Sequence, residues 1–288
     1  MTTSRVSSHR PTQRRRRFDN RYFILIAVVV VVVIAGVVYA VRPKPAASVA
    51  LPVAGASHAG SLVLNATGSE LVSWNKTPTY CTDGISVGNG TVATDASGNA
   101  ALTTLGKSGS CVGIISPDAY SSGVIEADID FPALPGKSGT IANWTSFWLT
   151  DQATWPVDGE LDAVEASPLT GKNAVSWHSG ASSSSVFVAS TDTFHQVKLP
   201  ASGANLTPGW HVVDVVYTKG YFAVYYDGHL YTSYTSSKIT GSALNLLITS
   251  TVTPKTSQAW NLIGGPEVNS SSSSATTSVK YVRVWSYK

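Results

Sequence analysis

Trp210-His-Val-Val-Asp-Val-Val-Tyr217 is followed by Thr218-Lys219-Gly220, then by Tyr221-Phe-Ala-Val-Tyr-Tyr226 and Asp227-Gly228. Both apolar runs are β-branched and aromatic, of strand length, and each ends in residues that turn a chain tightly. They predict a hairpin with a second turn behind it. The same pattern recurs in Gly123-Val-Ile-Glu-Ala-Asp-Ile-Asp130, Leu244-Asn-Leu-Leu-Ile-Thr249 and Val279-Lys-Tyr-Val-Arg-Val-Trp285. Beyond residue 41 no run of ten or more has the three-and-four apolar spacing of a helix. Many short strands separated by Gly, Pro, Asn and Ser predict an all-β domain over residues 61–288, a two-sheet sandwich of jelly-roll type.

The N-terminal end follows different rules. Tyr22-Phe-Ile-Leu-Ile-Ala, six valines and Ile-Ala-Gly-Val-Val-Tyr-Ala-Val41 make an uncharged stretch of 20 residues. At 1.5 Å per residue a helix of that length spans about 30 Å, the thickness of a bilayer core. Seven arginines precede it, while only Arg42 and Lys44 follow closely. The excess of positive charge places residues 1–21 in the cytoplasm and makes residues 22–41 a transmembrane signal-anchor. Cleavage near Ala40, which would release a secreted domain, is the alternative. Residues 42–60, with Pro43, Pro45 and Pro52, read as an extended linker.

Charge supports this division. The chain has 20 basic and 17 acidic residues, and the first 44 residues hold nine of the bases and one of the acids. The remainder carries 11 bases against 16 acids, net −5, so the basic pI belongs to the tail. An acidic body with 13% charged residues overall argues against a nucleic-acid partner. Cys81 and Cys111, the two cysteines, fall on the predicted outer side, where an even count suggests one disulfide.

Chemistry concentrates in Trp155-Pro-Val-Asp-Gly-Glu160-Leu-Asp162-Ala-Val-Glu165. On a regular strand Glu160 and Asp162 share a face while Glu165 points away. One extra residue, a β-bulge at Ala163-Val164, restores the phase and brings Glu165 to the same side. Three carboxylates on one strand face repel, and crowding with partial burial separates their pKa values. One is then held as an acid and another as an ionised nucleophile, the equipment of glycoside hydrolysis. A solvated acidic strand or a calcium loop is the competing reading, although Leu161, Ala163 and Val164 are apolar where such loops carry Gly and Asn. Asp118, Asp128 and Asp130 are candidate ligands for an optional structural calcium; no cofactor is required.

The same segment resembles the signature of glycoside hydrolase family 16 in its bulged Glu-x-Asp-x-x-Glu, laminarinase-like form. Gly113-Ile-Ile-Ser-Pro, Ser122-Gly-Val-Ile-Glu-Ala-Asp-Ile, Trp148, the Trp210–Gly228 hairpin and Tyr281-Val-Arg-Val-Trp285 resemble other strands of that family. The resemblance implies a concanavalin-like jelly roll. It implies Glu160 as nucleophile, Asp162 as its hydrogen-bonding helper and Glu165 as general acid/base. Trp155 would form a sugar platform and His178 would face the cleft, with Trp144 and Trp260 as further cleft candidates. Leu161 and Ala163 stand where isoleucines are usual, and Leu244–Val252 lacks the usual Gly-Gly. The expectation is a monomeric, retaining, endo-acting hydrolase of a β-linked polysaccharide outside the membrane, with a β-1,3- or β-1,3-1,4-glucan as the expected substrate. A transglycosylase and a non-catalytic carbohydrate-binding module are the alternatives.

Overall fold

Side-chain alternation decides which face of each strand is buried, and both sheets of this molecule follow it. In the computed structural model the described residues are 60–74, 90–106, 110–167, 172–180, 194–198, 205–252 and 274–286. All lie in one compact unit, Leu51–Lys288. The elements run β1 (Leu62–Thr67), a single helical turn α1 (Gly68–Leu71), β2 (Thr91–Thr94), β3 (Ala100–Thr103), β4 (Cys111–Tyr120) and β5 (Gly123–Phe131). There follow β6 (Trp144–Thr150), β7 (Glu160–Ser167), β8 (Lys172–Gly180), β9 (Phe194–Lys198) and β10 (Gly209–Thr218). The chain continues through β11 (Tyr221–Tyr226), β12 (His229–Thr235), β13 (Leu244–Thr251) and β14 (Thr276–Trp285).

Among the described residues these strands form two sheets, both antiparallel throughout. An eight-stranded sheet runs β12-β11-β10-β5-β14-β3-β2, with β1 also paired to β14. A six-stranded sheet runs β4-β13-β6-β7-β8-β9. The architecture is all-β, as the sequence predicts, and consistent with a jelly-roll sandwich. Alternate residues of β5 (Ile125, Ala127, Ile129, Phe131) and β10 (Val213, Val215, Tyr217) enter one buried cluster with Phe147 and Leu149 of β6 and Leu244, Leu246 and Ile248 of β13. The residues between them face outward. On β6 these are Trp144, Ser146, Trp148 and Thr150, and this choice of face positions the site.

The quoted hairpin forms as read. Thr218 pairs with Tyr221 across Lys219-Gly220. Asp227 and Gly228, at φ 50° and 77°, make the two-residue turn into β12, the left-handed geometry that Asp-Gly favours. The helical turn α1 is too short to carry an amphipathic pattern. Glu70 closes it from within by accepting a 2.7 Å hydrogen bond from the Thr67 N–H, half of a capping box.

Residues 22–41, the linker 42–60, Cys81 and Trp260 lie outside the described residues. Among the described residues no helix is long and apolar enough to cross a membrane. Cys111 is buried at the start of β4 and its Sγ lies 3.2 Å from Thr251 Oγ1.

Candidate active site

The site is built on β7, between β6 and β8. Ser146 pairs with Glu165, Phe147 with Val164, Trp148 with Asp162 and Thr150 with Glu160. Ala163 is therefore the extra residue. The partner ladder shifts at the same place, between Asp162 and Glu165, with Asp162 opposite Ser176 and Glu165 opposite Ala174. Leu161, Ala163, Val164 and Ala166 all enter the core, while Glu160, Asp162 and Glu165 emerge together on the outer face. The bulge re-aims Glu165 as its spacing requires.

A bulge leaves a backbone group without its ladder partner, and a buried orphan carbonyl is costly. The opposite sheet meets that need. Tyr226 Oη, from β11, donates to the Ala163 carbonyl at 2.7 Å and itself accepts from Asn173 Nδ2. Tyr231 Oη donates to the Asn173 carbonyl at 3.0 Å. From the back sheet, Tyr226 thus fastens the strand that carries the carboxylates and Tyr231 fastens its neighbour β8.

At the other end of β7, Gly159 has φ +100° and an added Cβ would lie 2.4 Å from Trp177 Cη2. Only glycine lets the chain enter the strand here. The preceding loop is pinned through Asp158. Thr154 Oγ1 donates to its Oδ2 at 2.7 Å, Ser242 Oγ to its Oδ1 at 3.0 Å, and Thr240 Oγ1 to its carbonyl at 2.8 Å. Trp155, half-buried in that loop, donates a hydrogen bond to Glu160.

The carboxylates are nearly enclosed. Asp162 is 4% and Glu165 7% exposed. His178 Nε2 lies 2.9 Å from Asp162 Oδ2 and 3.5 Å from Glu160 Oε1. Ser176 Oγ lies 2.7 Å from Asp162 Oδ2, 2.9 Å from Glu165 Oε2 and 3.3 Å from His178 Nε2. Contacts through His178 and Ser176 thus join Glu160 to Glu165 without a gap. Burial first, then the Asp162 charge, push Glu160 well above the usual carboxylate range, with the Trp155 hydrogen bond pulling against them. Burial and then Asp162 raise Glu165 to about 8, against the downward pull of His178 and the Ser176 hydrogen bond. Three acids in this space are not all ionised at neutral pH.

The structure brings together Glu160, Asp162, Glu165, Trp155 and His178 of the expected residues. Trp144 shares the outer face of β6, two residues beyond Ser146, and is half-buried. Sequence reasoning missed Ser176, one serine among many. The Trp148 indole lies beside Asp162 in register and donates to Thr249 Oγ1 at 3.1 Å. Asn245, on the strand without the Gly-Gly, donates to the Ser116 carbonyl at 3.0 Å and the Asp118 carbonyl at 3.2 Å.

Donor atoms of Glu160, Asp162 and His178 lie within 4.8 Å of one another. His178 and Ser176 already occupy the same Asp162 oxygen, an arrangement suited to moving protons and not to wrapping a cation. Asp118, Asp128 and Asp130 do not gather into a three-donor group. Asp128 instead faces Lys280 at 3.5 Å, so the calcium expectation finds no support in their placement.

The description that matches this chain is the XgeA-like, catalytic domain of glycoside hydrolase family 16, over residues 74–206. No curated protein matches the chain. Among solved structures, the κ-carrageenase of Pseudoalteromonas carrageenovora, in complex with an oligotetrasaccharide of κ-carrageenan, superposes at a TM-score of 0.56 with 17% identity, over 84% of this chain and 99% of that one. SCLam, a non-specific endo-β-1,3(4)-glucanase from the same family, gives 0.54 at 15% identity, over 80% and 92%. The Crh5 transglycosylase in complex with NAG gives 0.52 at 18%, over 81% and 88%. These likenesses speak for the fold, and the family match extends through the bulged carboxylate strand. Residues 74–206 match the catalytic domain of glycoside hydrolase family 16, and with the carboxylate strand inside that match the protein is an enzyme of O-glycosyl bonds.

Proposed function

We propose that the protein is a retaining, endo-acting hydrolase of a β-linked polysaccharide, with a β-1,3- or β-1,3-1,4-glucan as the favoured substrate. One observation carries the reading: the bulge sets Glu165, held protonated by burial up to a pH of about 8, in one hydrogen-bonded group with Glu160 and Asp162. Glu165 then protonates the leaving oxygen. Glu160 attacks the anomeric carbon from the opposite side and forms a glycosyl ester as the C–O bond breaks. Asp162, held by Ser176 and joined to Glu160 through His178, keeps the nucleophile in place for the attack. Water next gives its proton to Glu165, attacks the same carbon and releases Glu160, so configuration is retained. Trp155, bonded to the nucleophile through its indole N–H, offers its ring face to the sugar bound there.

The catalytic domain works outside the cytoplasmic membrane, tethered through residues 22–41 and the linker 42–60, with Cys81 bonded to Cys111. The run of apolar residues behind seven arginines supports the tether, and the oxidising compartment it implies supports the disulfide. The domain acts as a monomer on its polysaccharide.

The test is release of reducing ends by the domain from laminarin, lichenan, agar, carrageenan and a galactan, with oligosaccharide acceptors included to trap transfer. Hydrolysis of the β-glucans with a rapid fall in chain length is the expected result. Transfer products in place of reducing ends would make the protein a transglycosylase. Binding without turnover on every polymer would make it a carbohydrate-binding module.

A further inference from the structure

Ser176 is fully buried on the outer face of β8. Its hydroxyl has one hydrogen to give, yet its oxygen lies within hydrogen-bond reach of two carboxyls, 2.7 Å from Asp162 and 2.9 Å from Glu165. Oxygens this close need a proton between them. If Ser176 donates to Asp162, the contact with Glu165 must be carried by a proton on Glu165. If Glu165 is ionised, the serine hydrogen is needed there instead.

We infer that Ser176 is the positioning residue that couples the acid and base states of Glu165 to Asp162, by turning its single hydrogen toward whichever carboxyl is ionised. This deepens the role proposed for Glu165 and rests on that assignment. Before glycosylation, Glu165 is neutral and Ser176 donates to Asp162. When Glu165 gives its proton to the leaving oxygen, the new carboxylate takes the serine hydrogen, which keeps the base in place for the incoming water. When water returns a proton to Glu165, the hydroxyl turns back. No proton is gained or lost by Ser176 in either turn. The groups that face Glu165 are few. Glu160 and Asp162 stand on its own strand, and His178 stands on β8. Across β6 its register partner is the uncharged Ser146, and Trp148 stands opposite Asp162. Lys198 of β9 takes the register position beside Ser176.

Removing the hydroxyl leaves ionised Glu165 without this donor, so its pKa should rise further. The chain has only five glutamates, Glu70, Glu126, Glu160, Glu165 and Glu267, so carboxyl carbon-13 NMR of labelled protein resolves Glu165, assigned with Glu165→Gln. In Ser176→Ala the Glu165 midpoint should move upward by about one pH unit, the size expected for one hydrogen bond to a charged group. Ser176→Thr, which keeps the hydroxyl, should titrate as the wild type does. Activity should follow: the basic limb of the kcat/KM profile moves to higher pH in Ser176→Ala, and kcat falls about tenfold because the base form is unsupported. If Ser176→Ala does not fold, Ser176→Cys, whose thiol is a weak donor, is read in the same way. An unmoved Glu165 midpoint overturns the inference, as does a fall in kcat with no displacement of the limb. Absence of turnover by the wild type on every polysaccharide would refute the proposed function instead, and the titration would still decide the coupling.

Discussion

Tyr226→Phe removes one oxygen atom from the far sheet, and its consequences should appear at the active site. The Tyr226 hydroxyl donates to the Ala163 carbonyl at 2.7 Å, inside the core and at the bulge. Phenylalanine keeps the ring and its packing against Tyr231, 4.5 Å away between centroids, but leaves that carbonyl and the Asn173 amide without their partner. A buried group left unsatisfied costs about 1–3 kcal/mol. In a domain of this size about 1 kcal/mol moves Tm by roughly 2–4 °C, so the variant should melt about 2–12 °C lower. The loss should also be local. An unfastened bulge lets Glu165 drift from Ser176, so kcat should fall under conditions where the variant remains fully folded. Thermal and urea melts give the first quantity, and kcat on a soluble polysaccharide at 25 °C gives the second. An unchanged Tm together with an unchanged kcat would refute the claim that the back sheet holds the bulge.

Three further outcomes follow from named residues. Glu165→Gln should stabilise the protein at high pH. Burial raises its folded pKa to about 8 from the ordinary 4.5, so wild-type stability from this group is intact below about 4.5 and is lost as pH rises to about 8. The loss is on the order of 5 kcal/mol. The variant and wild type should therefore melt alike near pH 4 and diverge by pH 9, with Glu165→Gln higher; parallel curves would contradict the assignment. Gly159→Ala should cost about 2–4 kcal/mol from overpacking against Trp177 and a left-handed backbone, and circular dichroism melts should show it; a neutral result would mean that the strand enters β7 differently. In spheroplasts, protease added outside should digest the domain while it remains bound to the membrane. Complete protection, or a soluble form starting at Val41, would refute the tether.

Much of the carboxylate strand was legible because its chemistry conflicts with simple alternation. Glu160, Asp162 and Glu165 occupy one face only if a residue is inserted; Ala163 is that residue in the ladder with β6, and the ladder with β8 shifts across Ala163-Val164. The hairpins were legible for a related reason, since Asp227-Gly228 and Lys219-Gly220 suit backbone conformations that other residues resist. Ser176 was not legible. In a chain so rich in serine its type carries no signal, and its role arises from register with Asp162 on the neighbouring strand. Tyr226 was hidden similarly: alternation places it in the core, but only the packing of the two sheets takes its hydroxyl to the Ala163 carbonyl. Asp118, Asp128 and Asp130 were legible only as acids that could serve an optional cation. In the structure these three do not gather into one donor group, and the Asp128 carboxylate lies 3.5 Å from Lys280 Nζ. The helical turn Gly68–Leu71 fell below the length at which periodicity can be read.

The claim that Glu160 is the nucleophile and Glu165 the acid/base is tested most directly by the anomeric configuration of azide products. Glu160→Ala forms no covalent intermediate, so azide attacks an activated donor from the face the carboxylate had occupied. Glu165→Ala still forms the intermediate from a donor whose leaving group needs no protonation, and azide then releases it without a general base. Proton NMR of the isolated glycosyl azides should show inverted configuration from Glu160→Ala and retained configuration from Glu165→Ala. Swapped configurations would reverse the two roles, and two variants as active as the wild type would contradict the mechanism.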